Sequence, residues 1–354
     1  MTERARGGRS FLRRHARALI ASLALAAGFA FVLRAGALPL LPPAGSLDAV
    51  AWWKVGLGAL AFVLHMFLRF LRVHFLLAPI ASVSLKRILI ICSISAGLIT
   101  FLPLRLGELA RPALLRQKGK LSAWAVTGTV AAERITDGVV LSVLLLIGLS
   151  VAEPREPLPN HIGDLPVPAA LVPRAAQLAT VAFGLAFVAM GLFFWHRALA
   201  RRVTESVLGV FSRRVAAGVA DAVERVSEGL RFLPDLRHSA PFLGLTVLSL
   251  LVHAWALFLM AHGVGLNELD YWQAVVVLGV LGLSYVLPNA PGFFGAVQLA
   301  LYAGLAVYVR PEQVVHEGAA LVFLFYAVYL GSILLVSMAG LLAEYHAPAT
   351  ESAS

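Results

Sequence analysis

Two arginines and a glutamate stand three residues apart at the end of an apolar stretch: Arg105, Glu108 and Arg111. On a helix, Glu108 can pair with either arginine, which leaves one positive charge over. A guanidinium matches the geometry of a phosphate with paired hydrogen bonds, so the set predicts a phosphate site. Pro103 and Gly107 let the backbone turn and approach a neighbour closely. The alternative is an arginine pair that only anchors a helix end at the membrane interface.

A second charged set, Glu133, Arg134 and Asp137, lies inside the next apolar segment. Its two carboxylates share one helix face, where they need a cation, a shared proton or water. An arginine of the first set would complete this group. A structural ion-pair cluster without a ligand is the alternative. The sequence thus predicts phosphate binding by Arg105, Arg111 and Arg134, and charge pairing or proton coupling by Glu108, Glu133 and Asp137.

Prolines and glycines crowd a third stretch, near residue 290, at a density through which a helix cannot continue. A plain break that packs the bundle explains this stretch as well as a binding site does. The predicted backbone breaks are Pro103, Gly107, Pro288, Asn289, Pro291, Gly292 and Gly295. The sequence contains no nucleophile–histidine–acid spacing, zinc motif or phosphate-cradling glycine loop. It therefore predicts no catalytic residue, metal or cofactor, and favours a transporter over an enzyme.

These charges lie in a chain that is otherwise soluble in lipid. Of its 354 residues, 60% are apolar and 14% are charged, and the mean hydropathy is +0.84. Soluble domains carry about 25% charged residues, so the composition predicts an all-α polytopic membrane protein. The net charge of +10 comes from basic residues beside apolar segments, which indicates membrane orientation and anionic headgroups rather than nucleic acid. The single cysteine, Cys92, excludes a disulfide within the chain.

Hydropathy predicts about six full spans in a single integral membrane domain, residues 1–347, followed by a flexible tail, 348–354. The six spans are about 18–33, 49–70, 124–149, 175–195, 241–261 and 318–342. Arginines before the first span predict a cytoplasmic N-terminus in the inner membrane. Residues 197–238 predict an amphipathic segment on the inner surface. His65, inside the second span, is better explained by a bond to a neighbouring helix than by a proton relay.

Residues 88–104 are too short for an ordinary span of about 20 residues. If they crossed, the basic segments 69–87 and 197–238 would lie on opposite sides of the membrane. We therefore expect residues 88–110 to enter from the cytoplasm and return as a re-entrant hairpin. Residues 271–309 predict a second hairpin, from outside. Together the halves, about 1–150 and 173–342, would form an inverted repeat; eight full spans are the alternative.

Three motifs resemble the flippase-like family, also named for the transmembrane region of lysylphosphatidylglycerol synthases. They are Pro103-Leu-Arg-Leu-Gly-Glu-Leu-Ala-Arg111, the pair Glu133-Arg134 with Asp137, and Leu287-Pro-Asn-Ala-Pro-Gly-Phe-Phe-Gly295. Phe70-Leu-Arg72 at the inner end of the second span is similar to the family pattern as well. The resemblance covers nearly the whole chain.

The resemblance implies an inner-membrane protein that translocates or handles a phosphate-bearing lipid. The implied partners are an anionic phospholipid or a polyprenyl-phosphate lipid, and a lipid-modifying enzyme. The alternative is a membrane-embedded enzyme or accessory subunit in lipid-linked glycan or hopanoid synthesis. The sequence departs from the family at Gln298, where an acid is common. It also lacks the soluble aminoacyl-transfer domain, so we do not expect lysine transfer to lipid.

Overall fold

The computed structural model describes residues 20–102, 107–108, 110–119, 123–165, 169–195, 230–285 and 290–346. Within these ranges the chain is helical and contains no strand longer than an isolated bridge. Five described helices are long and apolar enough to cross a membrane. The prediction of an all-α polytopic membrane protein is therefore confirmed. Most of the predicted amphipathic segment and the C-terminal tail lie outside the described residues.

Eleven helices are labelled here in chain order. They are α1 (Ile20–Ala35), α2 (Trp52–Leu77), α3 (Leu85–Phe101), α4 (Ala110–Gly119), α5 (Ala123–Val151), α6 (Leu171–Trp195), α7 (Leu236–Gly263), α8 (Tyr271–Ser284), α9 (Ala296–Leu305), α10 (Pro311–Val315) and α11 (Glu317–Tyr345). Five of the six predicted spans correspond to long apolar helices: α2, α5, α6, α7 and α11. The first corresponds to α1, of which 16 residues are described.

The antiparallel pair α2 and α7 forms the centre of the bundle. At one end, the amide of Ala51 donates to the carbonyl oxygen of Gly263 at 2.8 Å. Further along, Gly58 lies so close to α7 that a Cβ there would be 2.5 Å from Cγ of Met260. Small residues allow helices in a membrane to approach in this way. The main apolar core surrounds this pair and also includes α8, α9 and α11.

The short helix α3 runs antiparallel to the second half of α11. Arg87 pairs with Glu344 at 2.7 Å at one end, and the Ser337 hydroxyl donates to the carbonyl oxygen of Ser93 at 2.9 Å. With 17 residues, α3 is about 25 Å long, whereas the 29 residues of α11 extend for about 43 Å. The end of α3 therefore lies beside the middle of α11.

The break between α8 and α9 contacts the same middle part of α11. A short 3₁₀ turn, Pro291–Phe293, precedes α9. The Phe293 ring packs on Tyr285 (5.1 Å between centroids) and on Tyr329 of α11 (6.4 Å). The Tyr326 hydroxyl donates to the carbonyl oxygen of Gly292 at 3.1 Å. The 3₁₀ turn also contacts α3, so the two breaks meet at one level of the bundle.

Two of the predicted break glycines have backbone conformations that L-residues rarely adopt. Gly292 has φ +72° and Gly295 has φ +81°. A Cβ on Gly295 would also lie 2.1 Å from Cβ of Phe29 on α1. The side-chain oxygen of Gln298 accepts a hydrogen bond from the Gly295 amide at 2.7 Å. Gln298 therefore caps the start of α9, a structural role that a glutamine fulfils as well as an acid.

Candidate functional site

Six charged residues from three helices form one cluster, which we call the arginine cluster. Helix α2 contributes Arg69 and Arg72, α4 contributes Arg111, and α5 contributes Glu133, Arg134 and Asp137. Arg69 and Arg72 are about one helical turn apart on α2, and Glu133 and Asp137 are about one turn apart on α5. The two members of each pair therefore point to the facing helix. Helix packing of α4 on α5 brings Arg111 to the same place.

Arg72 is the centre of the cluster, with only 1% of its side chain exposed. Its guanidinium donates to Oε1 of Glu133 at 2.9 Å and to Oδ2 of Asp137 at 2.8 Å. It also donates to the hydroxyl of Thr246 on α7 at 2.8 Å, and its Cζ lies 5.4 Å from the ring centre of Phe242. A charge buried this deeply requires such partners, so Arg72 ties α2, α5 and α7 together.

Each carboxylate of the cluster accepts hydrogen bonds from two arginines. Glu133 accepts from Arg72 and from Arg111. Asp137 accepts from Arg72 and from Arg69, the latter at 2.9 Å. Guanidinium donors thus occupy the carboxylate oxygens, which supports charge pairing for both acids more than acid–base chemistry or proton coupling.

The arginine cluster has more positive charge than its own acids neutralise. Four arginines face two carboxylates, so the six residues carry a formal charge of +2. The Nε atoms of Arg72, Arg111 and Arg134 are buried, and none has an acceptor in the described part of the chain. A buried donor without an acceptor costs about 1–3 kcal/mol. The arrangement is therefore suited to an anion that supplies acceptor oxygens.

The structure brings together four of the predicted site residues: Arg111, Glu133, Arg134 and Asp137. At Gly107 the backbone approaches α3 closely, because a Cβ there would lie 2.1 Å from the carbonyl oxygen of Leu98. Glu108 lies in the described turn before α4. Four predicted residues lie outside the described ranges: Pro103, Arg105, Pro288 and Asn289. Among the side chains that are described, no group of three His, Cys, Asp or Glu could hold a metal ion.

Sequence reasoning missed two members of the cluster, Arg69 and Arg72. Arginines at the end of an apolar segment most commonly anchor a helix at the membrane interface, so their position alone does not identify them as site residues. Two signals could have identified them. Arg72 belongs to the motif that resembles the family pattern, and the three-residue spacing of Arg69 and Arg72 repeats that of Glu108 and Arg111.

Comparison with known proteins identifies the family. The model of the lysylphosphatidylglycerol synthase TM region matches residues 18–339. The chain belongs to this family. No curated protein and no solved structure matches it. The match confirms the resemblance drawn from the motifs, and it makes the chain a multi-pass membrane protein of a family linked to lipid handling.

Proposed function

We propose that the protein binds the phosphate of a membrane lipid in the arginine cluster and translocates that lipid across the inner membrane. The observation that carries this proposal is the surplus of buried guanidinium groups. Three buried Nε–H donors lack an acceptor among the described residues, and the cluster has a formal charge of +2. A phosphodiester supplies both the negative charge and the acceptor oxygens.

Exposure within the cluster indicates how the headgroup enters. The side chain of Arg69 is 31% exposed and that of Asp137 is 20% exposed, whereas Arg72 is almost fully buried. Arg69 is therefore the first arginine that a headgroup meets. The phosphate then moves from Arg69 to the buried guanidinium groups of the cluster, which bind it more strongly because water does not compete there.

The two backbone breaks support the predicted pair of re-entrant hairpins. With 17 and 14 residues, α3 and α8 are about 25 Å and 21 Å long, less than the 30 Å apolar core of a bilayer. Both end beside the middle of α11. Transporters commonly build their substrate sites from broken helices that meet near the midplane. The headgroup would pass this level on its way across.

The lipid class follows from the chemistry of the cluster. Arginines select a phosphate but do not distinguish a phospholipid from a polyprenyl phosphate, so both are candidate substrates. The alternative, a membrane-embedded enzyme or accessory subunit of lipid-linked glycan or hopanoid synthesis, has less support. It would need Glu133 or Asp137 as an acid or base, and arginines bond both carboxylates.

A translocation assay tests the proposal. The protein is reconstituted in vesicles that contain fluorescent phosphatidylglycerol or a fluorescent polyprenyl phosphate, and an impermeant quencher reports movement between leaflets. Native protein should accelerate the movement of one of these lipids. Arg111→Ala should reduce the rate at least about tenfold, because it removes a charged hydrogen-bond donor worth about 1.5–3 kcal/mol. Arg111→Lys should be intermediate, since it keeps the charge but loses the planar fork.

The matched control is Arg87→Ala. Arg87 is also in an ion pair, with Glu344, but at the α3–α11 contact rather than in the cluster. Its loss should leave the rate close to native. If native protein accelerates neither lipid, or if Arg87→Ala and Arg111→Ala reduce the rate equally, the proposal is wrong.

A further inference from the structure

Two buried histidines stack on each other one turn away from the arginine cluster. We call His65 of α2 and His253 of α7 the histidine pair. Their ring centroids are 4.3 Å apart with an angle of 30° between the planes. Only 4% of His65 and 6% of His253 is exposed. The pair bridges the two central helices, so a change in its charge acts directly on the α2–α7 contact.

The hydrogen bonds of the pair leave ring nitrogens that can accept a proton. Nδ1 of His65 lies 2.6 Å from the carbonyl oxygen of Ser249. A carbonyl only accepts, so Nδ1 carries the hydrogen, and Nε2 of the neutral ring keeps a lone pair. The bond to a neighbouring helix is the one that the sequence favoured for His65. Nε2 of His253 is buried and lacks a partner among the described residues, which a purely structural histidine would not explain.

The walls around the pair are aromatic. Phe62 packs edge-on against His253, with 5.2 Å between the ring centroids. On the other side Phe325 of α11 stacks on His253 at 5.8 Å and 11°. These rings exclude water and hold the imidazoles face to face. They also offer a weakly attractive surface to a protonated imidazole, since an aromatic face attracts a cation.

The charged groups near the pair are the arginines of the cluster. On α2 these are Arg69, which follows His65 by four residues, and Arg72. Both arginines are bonded to Asp137 of α5. The titratable group on α11 is Tyr329, which packs on Phe62 at 6.0 Å. Tyr285, at the end of α8, reaches the same level through Phe293 and Tyr329.

We propose that the histidine pair is a proton-binding site whose occupancy is linked to phosphate binding in the arginine cluster. With the cluster empty, its surplus positive charge repels a proton from the pair. A bound phosphate cancels part of that charge, and the pair then takes up one proton from solvent on an imidazole nitrogen. Linkage is reciprocal, so the proton strengthens phosphate binding by the same factor. A proton gradient would thereby bias lipid movement. This inference rests on the proposed function.

Calorimetry of lipid binding tests the linkage. A short-chain phosphatidylglycerol is titrated into the purified full chain in buffers of different ionisation enthalpy, between about pH 5 and about pH 8. Its phosphodiester stays singly charged over this range, so a buffer-dependent heat reports protons taken up by the protein. Native protein should take up close to one proton at the most favourable pH. Lipid affinity should rise by up to about tenfold per pH unit as the pH falls.

Two variants remove the proton site in different ways. His65→Asn keeps a donor for the Ser249 carbonyl. His253→Gln replaces the imidazole whose Nε2 lacks a hydrogen-bond partner among the described residues. Either variant that folds should take up less proton than native protein on binding lipid. The double variant, which keeps no imidazole of the pair, should take up almost none and bind lipid with an affinity independent of pH. The matched control is His346→Gln at the exposed end of α11, which should keep the proton uptake.

The outcomes separate the two proposals. Lipid binding by native protein without proton uptake overturns the linkage and leaves the lipid site intact. Proton uptake that persists at the native level in the double variant also overturns it, since the proton then binds elsewhere. Failure of native protein to bind either phosphatidylglycerol or a short-chain polyprenyl phosphate overturns the phosphate site itself, and the linkage with it.

Discussion

The buried charges of the arginine cluster depend on each other. Arg72 bonds two carboxylates and a threonine, and each carboxylate bonds a second arginine. A buried ion pair contributes little net stability, but the loss of one partner is costly because the other charge remains without water. Single substitutions within the cluster should therefore be poorly tolerated.

Glu133→Gln tests this dependence. The substitution preserves shape but leaves Arg72 and Arg111 each with one charged acceptor fewer, so we expect a loss of about 3–5 kcal/mol in unfolding free energy. Thermal unfolding in detergent measures it as a lower Tm. Glu344→Gln is the control, since the Glu344 side chain is 23% exposed whereas that of Glu133 is 2% exposed, and a partly hydrated pair should contribute about 1 kcal/mol or less. Equal losses in both variants would contradict the special cost of the buried cluster.

At the scale of elements, the two breaks are the feature that distinguishes this bundle from a set of simple spans. Gly107 lies against the backbone of α3, and the turn before α9 lies against Tyr326 and Tyr329 of α11. Gly107 and Gly295 permit contacts that a Cβ would prevent, and aromatic rings of α11 pack against the turn before α9.

Gly107→Ala tests the close approach at the first break. The new Cβ would lie 2.1 Å from the carbonyl oxygen of Leu98. Backbone cannot rotate away as a side chain can, so we expect a loss of about 1–3 kcal/mol together with reduced translocation. Gly244→Ala on α7 is the control, because a Cβ there meets nothing within 4 Å. It should change stability by at most about 1 kcal/mol. Similar behaviour of the two variants would contradict the tight contact.

At the scale of the whole molecule, the sidedness of the hairpins remains a prediction. It depends on the basic loops around the first break, which place Lys118 in the cytoplasm. If α3 crossed the membrane fully, Lys118 would lie outside. The side of the membrane on which the proposed site opens depends on this point.

Cysteine labelling decides the sidedness. In a Cys92→Ala background, single cysteines replace Lys118, Glu312 and Tyr345, and an impermeant maleimide is added to intact cells. Glu312 and Tyr345 are exposed residues at opposite ends of the α10–α11 segment and serve as the outside and inside references. Lys118→Cys should remain unlabelled, as Tyr345→Cys does. Labelling at Lys118 equal to that at Glu312 would contradict the hairpin.

Hydropathy, basic flanks and helix breakers were enough to predict the fold class, the long helices and both breaks. Their signals are local: an apolar run of about 20 residues crosses a membrane whatever surrounds it, and proline and glycine break a helix wherever they stand. The sequence alone also identified Arg111, Glu133 and Asp137 as candidate site residues, because a lipid-facing position would not tolerate their charges.

Tertiary structure alone decided which of these charges meet. Arg72 and Glu133 are 61 residues apart in the sequence. His65 and His253 are much further apart, on α2 and α7. Arginines at the inner end of α2 look the same in sequence whether they anchor a helix in headgroups or turn inward to a carboxylate. The packing of α2 against α5 and α7 makes that choice, because once those helices are in contact, the facing charges must pair with each other.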